Sequence, residues 1–251
     1  MFYKHRSTSA DWPDIDYAAG APTATTLHLW TQVAGKIRLR LAPWVNHSWH
    51  VPLYLSARGM RTGPMPYGAR TLELAFDFID HDLRVLTGDG KERRVELRPR
   101  TVADFHAAVM AALGELDIAV EINTTPSELA DAVPFEQDEA NAGYDPAYAA
   151  RLWRALLQID RVFKEFRARF IGKVSPVHFF WGSFDLAVTR FSGREAPEHP
   201  GGVPNFPDWV AREAYSHEVS SAGFWPGAGI GYPAFYCYAY PGPDGFAEAP
   251  V

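Results

Sequence analysis

The sequence predicts an α+β domain with a largely antiparallel sheet and about three helices. Apolar residues recur at intervals of three and four in three segments, which is the helical period. Several consecutive short runs alternate apolar and polar residues, which is the period of half-buried strands. Strands that come in runs, separated by a few helices, are typical of this class. With 251 residues, 47 % of them hydrophobic, the chain can build one sizeable core.

The longest helical pattern runs from Asp145 to Ile171. Asp145 is a favourable N-cap, and Pro146 suits the first helical position. The apolar stripe of this segment consists of Tyr148, Leu152, Leu156, Ile159, Phe163, Phe166 and Phe170. Val177 to Trp181 then follow with apolar residues on both faces, as in a central strand. We therefore expect the helix to pack on a sheet that contains residues 177–191.

The remaining elements are predicted from caps, alternation and turn residues. Thr25 or Thr26 caps a first helix that ends before Pro43, and Thr101 with Asp104 resembles a capping box. The predicted strands are an edge strand over 50–58, a strand over 72–78, a hairpin of 83–87 with 93–98, and a strand over 118–122.

The chain is predicted to form a single domain over residues 1–251. Residues 1–25 are mostly polar and small and form an N-terminal extension, and 124–144 is an acidic connection interrupted by Pro126 and Pro134. Residues 192–251 are rich in Gly and Pro and predict loops that wrap the domain. Within that segment we expect a short helix over 211–222 and a strand over 235–240.

Composition excludes several classes of protein. The net charge is −6 and no run of Lys and Arg stands out, which argues against a nucleic-acid groove. No apolar stretch reaches the 18 or so residues that a membrane-spanning helix needs. Cys237 is the single cysteine, so no internal disulfide forms, and residues 1–16 lack the apolar core of a secretory signal. We expect a cytoplasmic protein.

Histidines are the first candidates for chemistry. A divalent metal, Zn or Fe, is the cofactor that imidazole and carboxylate ligands suit. The candidate ligands are His47, His50, His178 and His217. His217-Glu218 begins like a zinc-protease motif, but Ser221 stands where the second histidine is required. The alternative is that these are ordinary core or surface histidines.

His178, His217 and Glu218 are the candidate catalytic residues, because a histidine beside a carboxylate can perform acid–base chemistry near neutral pH. His178 lies in the apolar central strand, where a polar group needs a partner. Strand alternation places Asp185 on the opposite face from His178, unless Gly182 bulges the strand. A buried Asp185 would pair with a cation such as Arg167.

Aromatic residues suggest a ligand pocket. The candidate substrate-binding residues are Trp49, Tyr54, Trp181, Asp185 and Trp225. Neither a serine-hydrolase elbow nor a phosphate-binding glycine loop is present in the sequence. Two functions remain open: an enzyme acting on a small polar molecule, with a metal-bound water as one option, and a non-catalytic module that binds a small molecule or carbohydrate.

Four stretches resemble a bacterial family of uncharacterised proteins catalogued as a domain of unknown function. These stretches are residues 27–38, 46–54, 158–193 and 213–227. The resemblance covers nearly the whole chain and implies no activity. It implies that the polar and aromatic signature residues of the family lie mainly in these four stretches.

Overall fold

The structure, a computed structural model, describes residues 11–246 and 248–249, and within them it confirms the α+β class. The first ten residues of the predicted extension lie outside the described residues. The described part contains two antiparallel sheets and four α-helices. The helices are α1 (Tyr17–Leu41), α2 (Val102–Gly114), α3 (Pro146–Ala168) and α4 (Asp208–Ala214). None of these described helices is long and apolar enough to cross a membrane.

The first sheet has six strands. Its strands are β1 (Tyr54–Leu55), β2 (Gly59–Arg61), β3 (Met65–Tyr67), β4 (Arg70–Asp77), β5 (Asp82–Thr87) and β6 (Glu92–Glu96). They pair in the order β1-β2-β4-β5-β6, with β3 also paired to β4. The predicted hairpin is β5 with β6, and Leu72, Leu74 and Phe76 of β4 point into the core. Helix α2 begins as predicted, because the Thr101 hydroxyl accepts a hydrogen bond from the Asp104 N–H at 3.0 Å.

The second sheet has four strands in the order β10-β9-β8-β7. Its strands are β7 (His178–Phe180), β8 (Asp185–Glu195), β9 (His217–Trp225) and β10 (Ala234–Tyr240). Helix α3 packs on one face of this sheet, as predicted: the Arg190 guanidinium lies over the Phe166 ring, and the rings of Phe163 and Phe235 are 6.1 Å apart. The Asp145 carboxylate caps α3 by accepting from Ala147 N–H at 2.9 Å.

Helix α1 begins at Tyr17 and not at the predicted Thr25 or Thr26. Asp16 caps it, and Pro22 is accommodated within its second turn. The helix is buried on nearly all sides from Thr23 to Ile37, so no single apolar stripe marks its true start in the sequence. Its buried surface includes polar and charged side chains, namely Thr26, His28, Thr31, Gln32 and Lys36.

The predicted strand over 177–191 is two strands joined by a turn. Residues 181–184 reverse the chain, with Phe184 in the left-handed region at φ 59°. The register pairs His178 with Ala187 and Phe180 with Asp185. Residues that face each other across a ladder share a face, so His178 and Asp185 lie on the same face of the sheet. The expectation that they lie on opposite faces was wrong, because the turn resets the alternation.

Several further expectations need correction. The edge strand over 50–58 shrinks to Tyr54–Leu55, and residues 118–122 form no strand. The predicted strand over 235–240 is confirmed as β10, but residues 217–225 form the unpredicted strand β9, and the predicted helix over 211–222 is Asp208–Ala214. Alternating side chains that fit a half-buried sheet surface outweighed the Gly and Pro content of this segment.

Gly35 of α1 sets how closely the helix approaches the turn after β7. A Cβ at Gly35 would lie 2.4 Å from the Trp181 ring, whose indole N–H is held by the Val51 carbonyl at 2.9 Å. We expect Gly35→Ala to lower the free energy of unfolding by about 1–3 kcal/mol, because the ring cannot move aside freely.

Urea denaturation measures this effect, and Gly114→Ala is the matched control. Gly114 is also helical but has nothing within 4 Å of the added Cβ. That variant should be neutral, or gain up to about 1 kcal/mol from helix propensity. Equal stability of the two variants would contradict the close packing of α1 on Trp181.

Candidate functional site

The most unusual feature of the structure is a pair of carboxyl groups, Glu128 and Asp185. Asp185 opens β8 and is 6 % exposed. The Ser183 hydroxyl donates a hydrogen bond to Asp185 Oδ1 at 2.6 Å and is also hydrogen-bonded to Glu128. The Ser183 contact favours the charged form of Glu128 and so lowers its pKa, against the larger opposite effect of burial.

Glu128 is held in place through its backbone. The Gln32 side chain clamps the preceding residue, because its Oε1 accepts from Ser127 N–H at 2.7 Å and its Nε2 donates to the Ser127 carbonyl at 3.0 Å. Glu128 itself lies in the left-handed region at φ 64°, and its N–H donates to the Pro204 carbonyl at 2.9 Å. A non-glycine residue in this conformation costs free energy that the surrounding contacts must offset.

Gly182 provides the room for the Glu128 carboxyl group. A Cβ on Gly182 would lie 1.9 Å from Glu128 Oε1, so a larger residue here would force the Glu128 carboxyl group to move. His28 contacts the Gly182 carbonyl through Nε2 at 2.8 Å and lies 3.1 Å from Gln32 Nε2. His28 and Gln32, one turn apart on α1, therefore contact the backbone near each carboxyl group: His28 contacts Gly182, and Gln32 contacts Ser127, which precedes Glu128.

Burial and mutual repulsion make the two carboxyl groups weak acids. Burial, reinforced by the nearby Asp185 charge, raises the pKa of Glu128 to about 7. Burial also raises the pKa of Asp185, although hydrogen bonds from Ser183 and Tyr236 favour its charged form. Such a pair can hold one proton at neutral pH, which is the arrangement of acid and base found in many active sites.

Tyrosines border Asp185 on the sheet. The Tyr236 hydroxyl donates to Asp185 Oδ2, and the Tyr236 and Tyr238 rings stack at 6.2 Å. The Tyr215 hydroxyl, from the end of α4, donates to the Tyr238 hydroxyl at 3.1 Å. The ring of Tyr236 crosses Gly223, where a Cβ would lie 2.0 Å from the ring. We call the sheet face that carries His178, Asp185, Ser221 and Tyr236 the polar face.

A second cluster on the polar face surrounds His178. The rings of Trp49, Tyr54 and Phe180 lie 5.8, 5.7 and 5.3 Å from the His178 ring. Neither His178 nitrogen has a hydrogen-bond partner in the described part of the chain, and the residue is 1 % exposed. Burial, together with the charges of Arg38 and Arg167, lowers the pKa of His178 to about 3, so its imidazole is neutral at physiological pH.

Among the other predicted ligands, His47 and His217 come together. Their ring centroids are 6.4 Å apart, and Trp49 lies between His47 and His178. His47 adopts φ 58°, its Nδ1 faces the Ala214 carbonyl at 3.3 Å, and Lys173 Nζ donates to its Nε2 at 2.7 Å. These bonds describe a neutral imidazole, and burial followed by the Lys173 charge lowers the pKa of His47.

His50 and Glu218 lie apart from these histidines. His50 Nδ1 accepts from the Val45 N–H at 3.2 Å, and its ring packs against Trp44 at 4.8 Å. The Glu218 carboxylate forms an ion pair with Arg194 at 2.6 Å on the surface. No three His, Cys, Asp or Glu side chains within residues 11–246 and 248–249 are arranged to hold a metal ion.

The predicted substrate-binding residues divide into two groups. Asp185 and Trp225 lie on the polar face, and Trp49 and Tyr54 contact its His178. Trp181 instead packs against Gly35 in the interior, and Asp185 bonds Ser183 and Tyr236 rather than Arg167. Sequence reasoning missed Glu128, whose one visible signal was its place in an acidic connection, and missed the polar stripe of His28, Gln32 and Lys36 on α1.

The described part of the chain is an α+β fold in which Asp185, on the polar face of the second sheet, lies close to Glu128 of the connection after α2. The chain belongs to the family of unknown function DUF5996, which it matches over residues 12–251. The predicted resemblance to a domain of unknown function is thereby confirmed. No curated protein and no solved structure matches the chain.

The raised pKa of Glu128 makes folding stability depend on pH. The folded carboxyl group binds its proton more tightly than the unfolded one, whose ordinary pKa is 4.5. This contribution to stability is therefore fully present below pH 4.5 and is lost as pH rises through about 7. We expect the wild type to lose about 1–3 kcal/mol over this range relative to Glu128→Gln, which cannot ionise.

Urea denaturation at a series of pH values measures the difference. Glu121→Gln is the matched control, because Glu121 is exposed and should leave the pH slope unchanged. Identical slopes for the wild type and Glu128→Gln would mean that Glu128 titrates normally.

Proposed function

We propose that this protein is an enzyme that acts on a small polar molecule by general acid–base catalysis, with Glu128 as the acid. The observation that carries the proposal is the Ser183-bridged pair of Glu128 and Asp185. Two carboxyl groups held together, one of them titrating near pH 7, are costly in a protein interior unless they have a function. Hydrolysis is the reaction class that this pair suits best.

Each group has a role set by its surroundings. Protonated Glu128 donates its proton to the leaving group, since its pKa near 7 lets it both hold and release a proton at neutral pH. Asp185 is the base of the pair and returns a proton to Glu128 through the Ser183 hydroxyl. Tyr236, bonded to Asp185, orients that carboxylate on the sheet. His178, His217 and Glu218 have no step in this mechanism.

The chemistry and charge of the chain suggest its ligand and location. Hydroxyl groups of serine and tyrosine surround the carboxyl pair, which favours a small polar substrate over nucleic acid, in keeping with the net charge of −6. We also propose a cytoplasmic location, which the single, unpaired Cys237 supports, because a reducing compartment keeps thiols free.

A non-catalytic binding module is the second candidate. The observation that favours it is the aromatic cage of Trp49, Tyr54 and Phe180 around the unpartnered nitrogens of His178. A neutral imidazole in an aromatic setting can recognise a ligand by one hydrogen bond and by stacking.

The catalytic proposal is tested with chromogenic p-nitrophenyl esters, phosphates and glycosides. We expect turnover of at least one class, with a rate that falls at alkaline pH because Glu128 loses its proton. Glu128→Gln should lower kcat by about 100-fold or more and remove this limb of the pH profile. Glu121→Gln, a surface carboxamide, should match the wild type.

Two results would overturn the catalytic proposal. One is a Glu128→Gln variant that keeps the wild-type kcat and pH profile. The other is binding without turnover of every compound, abolished by His178→Phe but not by Glu128→Gln, which would establish the binding module instead.

A further inference from the structure

Lys36 is a buried cation without an ionic partner. It lies one turn after Gln32 on α1, and the residue is 6 % exposed. Its ammonium group lies 5.9 Å from the Trp181 ring centroid, and within the described residues no carboxylate forms an ion pair with it. An uncompensated charge in such a place is costly, and the cost is avoided when the amine is neutral.

In the part of the chain that the structure describes, the hydrogen-bond partner of Lys36 is a serine hydroxyl. Lys36 Nζ lies 3.2 Å from Ser127 Oγ, within hydrogen-bond reach. Burial lowers the pKa of Lys36 to about 8, so a useful fraction of the amine is unprotonated slightly above neutral pH. In that form the nitrogen accepts a proton from the hydroxyl instead of donating one.

Ser127 is held more rigidly than an ordinary loop serine. Gln32 bonds both its N–H and its carbonyl, and the next residue is Glu128 in its left-handed conformation. The Ser127 hydroxyl is therefore presented to Lys36 at a fixed position, immediately before the carboxyl pair in the chain. A nucleophile within hydrogen-bond reach of an adjacent base is the arrangement that activates a serine, and the fixed backbone keeps the two groups together.

We propose that Ser127 is a nucleophile activated by Lys36, and that the substrates are esters or similarly activated acyl compounds. The arrangement is a serine–lysine pair, one of the known alternatives to a serine–histidine pair. The inference rests on the proposed function only for the role of Glu128, which supplies the proton of the leaving group. The attack itself requires only Ser127 and Lys36.

The steps balance without any further reagent than water. Ser127 Oγ forms a bond to the acyl carbon while its proton passes to Lys36 Nζ, and the carbonyl electron pair moves to oxygen. When that pair returns, the bond to the leaving alcohol breaks and the alcohol takes a proton from Glu128. Water then attacks the acyl carbon and gives one proton to Glu128, while Ser127 Oγ departs and takes back its proton from Lys36, so the carboxylic acid is released and both groups are reset.

Covalent labelling tests the nucleophile directly. The protein is incubated with phenylmethylsulfonyl fluoride between pH 6 and 10, and the adduct is located by peptide mass spectrometry. Sulfur bonds to Ser127 Oγ, fluoride leaves, and the serine proton passes to Lys36. We expect one adduct per chain on Ser127, formed at a rate that rises as pH increases through about 8, where Lys36 loses its proton.

Variants test whether Lys36 acts as a base or only supports the fold. Ser127→Ala should form no adduct. Lys36→Arg keeps the positive charge but cannot accept a proton, so its labelling should be at least about 100-fold slower. Lys164→Arg, at a surface ion pair with Asp160, and Ser175→Ala, a buried serine away from Lys36, should label Ser127 at the wild-type rate. Thermal melts confirm that each variant is folded.

The outcomes distinguish this inference from the proposed function. Absence of a Ser127 adduct, a rate that does not change with pH, or an equal rate in folded Lys36→Arg would overturn the serine–lysine pair. Glu128→Gln should still be labelled at Ser127, because fluoride needs no proton from Glu128. Labelling that persists while Glu128→Gln also keeps full turnover would refute the role of Glu128 and leave the pair standing.

Discussion

The amide of Gln32 makes the contact on which the candidate site depends. It bonds the N–H and the carbonyl of Ser127, and so joins the buried helix α1 to residues 121–134, which form neither helix nor strand. A side-chain amide can bond the backbone N–H and the backbone carbonyl of one residue, because it carries an acceptor and a donor on the same group. Together with the Pro204 carbonyl, which accepts from the Glu128 N–H, it positions Ser127 and Glu128.

The buried polar groups around this contact oppose folding. Asp185, Glu128 and Lys36 lose hydration, and within the described residues no cation forms an ion pair with either carboxyl group. The surrounding packing offsets this cost: α1 is buried from Thr23 to Ile37, and α3 and the second sheet enclose a continuous apolar core. Polar groups that weaken a core and occupy fixed positions are typical of sites kept for function rather than for stability.

Local sequence signals were reliable where an element is stabilised by its own residues. The Asp145 cap, the Thr101 cap and the hairpin of β5 with β6 were predicted because caps and alternation act over a few neighbouring residues. The start of α1 and the strand β9 were missed for the opposite reason. A helix buried on nearly all sides has no polar face, and β9, which lies among Gly- and Pro-rich loops, is recognised only beside its partners.

The sequence by itself determined the α+β class, the long helix α3 and the placement of polar and aromatic residues in a few stretches. Only the tertiary structure decided which of these residues meet. The turn at 181–184 put Asp185 on the face of His178, and the packing of α1 brought Gln32 and Lys36 to Ser127 beside Glu128. Periodicity records which side of its own element a residue occupies, whereas contacts between distant segments follow from how whole elements pack and twist together.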